Sequence, residues 1–302
     1  MRISRRRAGV LVSAGLAVAL TAITGCSGQT ATVGGSGSGD SKTISVSLVA
    51  GWDEDTAATY LWKEILSEHG YTVNVQSLDI ASTFTGVANK QVDLYFDAWL
   101  PNTHQTYWEK FGDKLEVETT WYQPATDDLA VPSYVNDVNS IADLASRASE
   151  FGGQIVGIEA GSGLMRLTQN NVMPAYGLNG EYQLVSGSSP AMLADLKTAI
   201  DQKKPIVVTL WQPHWAFTQF PLKPLADPKG AFGQPDQVQV IAAKGFGSSH
   251  PELARWLSKF KLDSGQLGSL ELLIRQKGQG HEQDAVKEWI QQNKALVDSW
   301  TS

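Results

Sequence analysis

The chain predicts a two-lobed α/β fold, each lobe a mainly parallel sheet flanked by helices, with a ligand cleft between the lobes. Three observations predict it: strand-like and helix-like stretches alternate from residue 43 onward, the alternation restarts after about residue 128, and tryptophans fall where strands end. Alternating strand and helix is the pattern of parallel strands with crossover helices. Open sheets of that kind hold ligands outside the carboxyl ends of their strands.

The elements read in order as follows. ISVSLVA (44–50) is a strand, 56–69 an amphipathic helix closed by Gly70, and YTVNVQSL (71–78) a second strand. A helix over 82–89 and the strand VDLYFDAW (92–99) complete the first unit. The second unit has strands at 128–135, 154–160 and 205–211, with helices over 141–149 and 190–202. QVQVIAAKGF (237–246) is a further strand, and helices carrying Trp256, Trp289 and Trp300 follow it. Residues 42–130 with 238–302 form the predicted first lobe and 131–237 the second.

The N-terminus is a processing segment. Arg2, Arg5, Arg6 and Arg7 precede an apolar stretch over 8–23 that is too short for a membrane span, and Ile23-Thr24-Gly25-Cys26 closes it. Residues 1–25 therefore read as an export signal, by the general or the twin-arginine route, and Cys26 as the lipidated first residue of the mature chain. Cys26 is the only cysteine, which excludes an intrachain disulfide. Residues 26–41, rich in Gly, Ser and Thr, read as a flexible tether.

Loss of four arginines and no acids leaves 20 basic against 31 acidic residues, a mature net charge of −11. That balance argues against nucleic-acid binding and favours cationic or zwitterionic ligands.

Ten tryptophans are many for 302 residues, and three are placed for function. Trp52 follows the first strand, Trp99 ends the third, and Trp211 ends a strand of the other unit, each opening a polar turn. Trp62, Trp256 and Trp289 lie within helices and read as core. Indole faces attract cations, by up to ~2 kcal/mol each when desolvated, and a tetraalkylammonium brings no N–H that needs a partner. A primary ammonium would leave donors unpaired at ~1–3 kcal/mol each. The turn EAGSGLMR (159–166), between a strand and a helix, offers backbone N–H groups to an anion, and His104, five residues beyond Trp99, offers a side-chain donor.

Five segments, GWDEDTAATYLWKEIL, VDLYFDAWLPNTH, VGIEAGSGLMRLT, SSPAMLADL and PIVVTLWQPHWAF, carry a family resemblance. Over 43–300 the chain resembles the glycine betaine/proline betaine-binding proteins of ABC importers, whose type II periplasmic-binding-protein fold closes like a hinge. The resemblance implies a box of Trp52, Trp99 and Trp211 around a trimethylammonium group. It also implies a ligand carboxylate held by the amides of Gly163 and Leu164 and by His104, with Trp215 as structural support. Permease and ATPase subunits are the implied partners, the protein a monomer held to the membrane by its lipid alone.

Choline-binding relatives tend to carry a tyrosine where this chain has Asp127, which lowers a choline reading, while Asp53, Glu54 and Asp55 beside Trp52 keep choline or carnitine as alternatives. A secreted glycoside hydrolase is the distant alternative, because adjacent acids on one loop do not establish a catalytic pair. No G-x-S-x-G elbow occurs, and His69, His104, His214, His250 and His281 show no metal-ligand spacing, so neither enzyme chemistry, cofactor nor metal is expected.

Overall fold

The computed structural model describes residues 42–302. The segments expected to be the export signal and the tether, and Cys26 between them, lie outside the described residues.

The described residues form nine strands, β1 (Thr43–Leu48), β2 (Thr72–Ser77), β3 (Leu94–Leu100), β4 (Leu115–Pro132), β5 (Gln154–Val156), β6 (Gln183–Val185), β7 (Val208–Gln212), β8 (Leu222–Pro224) and β9 (Asp236–Ala243). Their order is β2-β1-β3-β9-β4-β7-β5-β6, with β8 on β4. β1 pairs in parallel with β2 and β3, and β5 in parallel with β6 and β7. Between these two parallel cores lie the antiparallel pairs β3/β9, β9/β4 and β4/β7.

β4 joins the two sheets, residues 115–125 pairing with β9 and 126–130 with β7. The sequence reading placed a strand only from residue 128. The first part of β4 escapes local pattern because its partner is distant in sequence, Pro124 interrupts it, and three register shifts break its alternation. β8 was not anticipated, the strand expected over 154–160 is only Gln154–Val156, and the helix expected over 141–149 is a 3₁₀ segment, Ile141–Ser146.

Among the described residues, twelve α-helices flank the sheets. They are α1 (Asp53–Glu68), α2 (Ile80–Ala88), α3 (Gln105–Phe111), α4 (Gly163–Leu167), α5 (Met173–Ala175), α6 (Ser189–Asp201), α7 (Ala216–Gln219), α8 (Phe246–Ser249), α9 (Pro251–Leu257), α10 (Ser264–Lys277), α11 (Glu282–Gln292) and α12 (Lys294–Thr301). None of the described helices is long and apolar enough to cross a membrane.

α1 buries Ala57, Ala58, Leu61, Trp62, Ile65 and Leu66, a stripe at helical spacing. Trp62 stacks on Phe96 of β3 and Trp300 of α12 and meets Phe260 edge-on, so the C-terminal helix seals the back of the first sheet. Trp256 and Trp289 are equally buried, as their helical positions led us to expect.

Candidate functional site

The turns at the ends of β1, β3, β5 and β7 converge on one small cavity. It is lined by Trp52, Glu54, Trp99, Thr103, His104, Asp127, Ile158, Ser162, Gly163, Leu164 and Trp211. All six ligand-contact residues expected from sequence, drawn from both sheets, lie on its wall.

Each indole is fixed by the carboxyl group of an acidic side chain. Trp52 Nε1 donates to Glu159 Oε2 (3.3 Å), Trp99 Nε1 to Asp97 Oδ1 (2.7 Å) and Trp211 Nε1 to Glu54 Oε2 (2.9 Å). With each N–H engaged by an acid, the ring's orientation is set and its π cloud is made more electron-rich, which favours a cation over the face. Outside the cavity Trp215 follows the same rule, donating to Asp53 Oδ2 (2.7 Å), while the Arg275 guanidinium sits 3.6 Å from its ring centre.

Of the acids behind the rings, Glu54 lies buried in the first turn of α1, whose dipole favours negative groups, Asp97 is buried on β3, and Glu159 precedes α4. Burial nevertheless raises the carboxyls of Glu54, Asp55 and Asp97, and mutual repulsion adds to the rise for Glu54 and Asp97. Asp55 also closes the β1–α1 turn, accepting from the Val49 amide at 2.7 Å.

The same cavity wall also carries donors, and the His104 imidazole stacks on Trp52 with 5.8 Å between ring centres. His104 Nδ1 accepts from the Trp99 amide at 2.9 Å, so in the neutral ring the proton sits on Nε2. That Nε2 is buried and has no protein partner. Burial holds the imidazole pKa down at about 3, with Arg166 acting the same way, so the ring stays neutral. An orphaned, buried N–H on a cavity wall is a donor awaiting an acceptor.

Beside it, Gly163 and Leu164 are the first two residues of α4, whose amides have no acceptor within the helix. Ser162 Oγ, the cap, takes the Met165 amide instead (3.2 Å). Gly163 must be glycine: a Cβ there would lie 1.8 Å from the Thr103 carbonyl oxygen. Arg166 Nη2, donating to the Asn102 carbonyl (2.9 Å), and Tyr107 Oη, donating to the Gly161 carbonyl (2.8 Å), hold this turn against the 99–104 turn.

Sequence reasoning did not identify Thr103, Ile158 and Ser162 as lining residues, and it did not assign Asp97 and Glu159 as anchors of the indoles. Asp97, two residues before Trp99 on the same strand face, was legible in principle. Glu159 was not, since its bond to Trp52 spans 107 residues.

Residues 42–292 match the family described as the substrate binding domain of ABC-type glycine betaine transport systems, and the chain belongs to that family. Among curated relatives, the glycine betaine/carnitine transport binding protein GbuC of Listeria monocytogenes is 35% identical over 147 residues, 49% of this chain and 48% of the relative. The match thus spans about half of that protein. The glycine betaine-binding periplasmic protein OusX of Dickeya dadantii is 23% identical over 82% of this chain and 85% of its own. Among solved structures, lactococcal OpuAC in its closed-liganded conformation with glycine betaine superposes with a TM-score of 0.80 at 35% identity, covering 86% of this chain and 99% of that one. ProX of Borrelia burgdorferi gives 0.81 at 28% identity, covering 86% and 97%. These neighbours are two-lobed binding proteins, and the fold described above is theirs.

Proposed function

We propose that this protein is the exported solute-binding subunit of an ABC importer and captures glycine betaine or a closely related betaine. The trimethylammonium group lies against Trp52, Trp99 and Trp211, and the carboxylate takes the amides of Gly163 and Leu164 together with His104 Nε2–H. The observation that carries this reading is the buried, partnerless Nε2–H of His104 on the same cavity wall as three indoles anchored by carboxyl groups. A small ligand that carries both a methylated cation and an anion satisfies both.

The energies are adequate. Three desolvated cation–π contacts supply roughly 6 kcal/mol before costs, and micromolar affinity needs about 8 kcal/mol. Charge-assisted hydrogen bonds at ~1.5–3 kcal/mol each cover the difference. The halves 42–130 with 238–302 and 131–237 act as the closing lobes, and the protein works as a monomer delivering its ligand to permease and ATPase subunits. It catalyses no reaction. Cys26 is the lipidation site that keeps it at the outer face of the membrane, and Cys26→Ala releases it into the medium.

Titration of intrinsic tryptophan fluorescence tests the ligand assignment. Glycine betaine is expected to change the emission at micromolar concentration, with proline betaine and carnitine as comparisons, whereas unmethylated glycine and sugars leave it flat. No response to any methylated ammonium compound removes the proposal. Choline is the second reading, favoured by one observation: the carboxyl of Glu54 lines the cavity and offers an acceptor to a hydroxyl.

A further inference from the structure

Thr103 Oγ1 lies 2.9 Å from Asp127 Oδ2 and 2.5 Å from Asp236 Oδ2. A hydroxyl carries one proton, so it satisfies one carboxylate and must accept a proton from the other group. The surroundings decide which carboxyl that is. Asp236 also takes the Asn102 amide (2.6 Å), the Thr103 amide (3.0 Å) and Asn102 Nδ2 (3.2 Å), a set of donors that demands an anion. Asp127 has no such set, and its Oδ1 makes no hydrogen bond among the described residues. The chain of protons therefore runs from Asp127 to Thr103 and from Thr103 to Asp236, with Asp127 neutral.

Asp127 also lines the cavity, directly across the β4/β7 ladder from Trp211. We propose that Asp127 is a specificity-determining residue: as a neutral acid it admits a ligand bearing its own carboxylate, and when ionised it turns the cavity toward cations that lack one. This rests on the quaternary-ammonium reading above.

Glycine betaine and choline share a trimethylammonium head and differ at the other end, carboxylate against hydroxymethyl. A negative charge added anywhere on the wall of so small a cavity acts on both heads alike. It repels only the carboxylate of the betaine. The change in preference thus does not depend on where along the cavity Asp127 meets the ligand.

Burial raises the Asp127 carboxyl to about 8, with Asp236 and Asp128 pushing the same way and Arg166 of α4 opposing them. Glu54 of α1 and His104 complete the titratable groups on the cavity wall. Of the cavity-wall groups only Glu54, itself raised by burial, shares this range; Asp128, raised to about 6, titrates at its lower edge, and a neutral variant of Asp127 separates both from Asp127.

The test is calorimetric titration of the purified protein with glycine betaine and with choline between about pH 6 and about pH 9.5, where neither ligand changes its own charge. In the wild type the preference for glycine betaine over choline is expected to fall by about tenfold or more as the pH passes about 8. Asp127→Asn, isosteric and unable to ionise, should hold the preference constant. A wild-type preference that does not move overturns the proposal without need of the variant. So does an undiminished fall in Asp127→Asn, which would assign the effect to Glu54, and so does undetectable choline binding at about pH 9.5. Binding of neither ligand at neutral pH is a different failure, that of the functional reading itself.

Discussion

Trp211 donates its indole N–H to Glu54 Oε2 over 2.9 Å, a bond between β7 and the first turn of α1 that spans 157 residues. Burial favours the neutral form of Glu54, so its part is to aim the indole rather than to hold a charge against the ligand. Trp211→Phe keeps an aromatic face and deletes the donor, leaving a buried carboxyl oxygen without a partner. The expected cost is ~1–3 kcal/mol of stability in urea denaturation, with a loss of glycine betaine affinity smaller than that of Trp211→Ala. A Trp211→Phe protein as stable as the wild type would show that the bond does not hold the ring.

The other indoles allow a sharper separation of site from core. Trp52→Ala, Trp99→Ala and Trp211→Ala are each expected to weaken binding by ~1–3 kcal/mol, packing loss included. Trp62→Ala, which empties the space among Phe96, Phe260 and Trp300, should instead cost ~3–5 kcal/mol of folding stability and leave the affinity of the folded protein nearly intact. Calorimetry on the folded fraction, paired with denaturant melts, distinguishes the two classes. Equal affinity losses for Trp62→Ala and Trp211→Ala would contradict the assignment.

Much of this arrangement is legible in the chain itself, and the reason is local. Trp52, Trp99 and Trp211 sit at strand ends, and a strand end followed by a polar turn can be read within ten residues. His104 lies on the same turn as Trp99. The bonds that aim the rings are not local: Glu54 to Trp211 and Glu159 to Trp52 join residues more than a hundred positions apart. The long span of β4 was hidden for the same reason, its partner β9 being over a hundred residues downstream. The protonation of Asp127 lay beyond any sequence pattern, because it depends on one hydroxyl between two carboxyls and on burial.

The buried acids and the buried imidazole make opposite contributions to stability as pH changes. Glu54, Asp55 and Asp127 hold protons in the folded state that they release near pH 4 when unfolded, so the folded state binds more protons through the neutral range. Their contribution is complete below about pH 4 and is lost as pH rises through their folded values. His104, lowered to about 3, adds stability as pH climbs from about 3 to about 6.5 and nothing beyond. Above about pH 6.5 only the loss remains. The melting temperature without ligand should therefore fall by several degrees between about pH 6.5 and about pH 9, and Glu54→Gln should reduce the fall. A melting temperature that rises over that interval would mean these carboxyls are ionised in the fold at neutral pH.

His104 is expected to discriminate between ligands by their uncharged or anionic end. Its Nδ1 is occupied by the Trp99 amide, so a substitution must keep an acceptor there or the turn itself is disturbed. Asparagine does this: its Oδ1 takes the place of Nδ1 while the donor corresponding to Nε2–H disappears. His104→Asn should thus leave the fold and the indoles in position and delete one hydrogen bond to the ligand carboxylate. A hydrogen bond to a charged group contributes ~1.5–3 kcal/mol, so glycine betaine affinity should fall by roughly 10- to 150-fold. Choline, which has no carboxylate, should lose less than about threefold, since its head meets the same three faces. Calorimetric titration of both ligands against the variant checks this directly. If choline and glycine betaine weaken in parallel, His104 acts by supporting the Trp99 turn rather than by donating to the ligand.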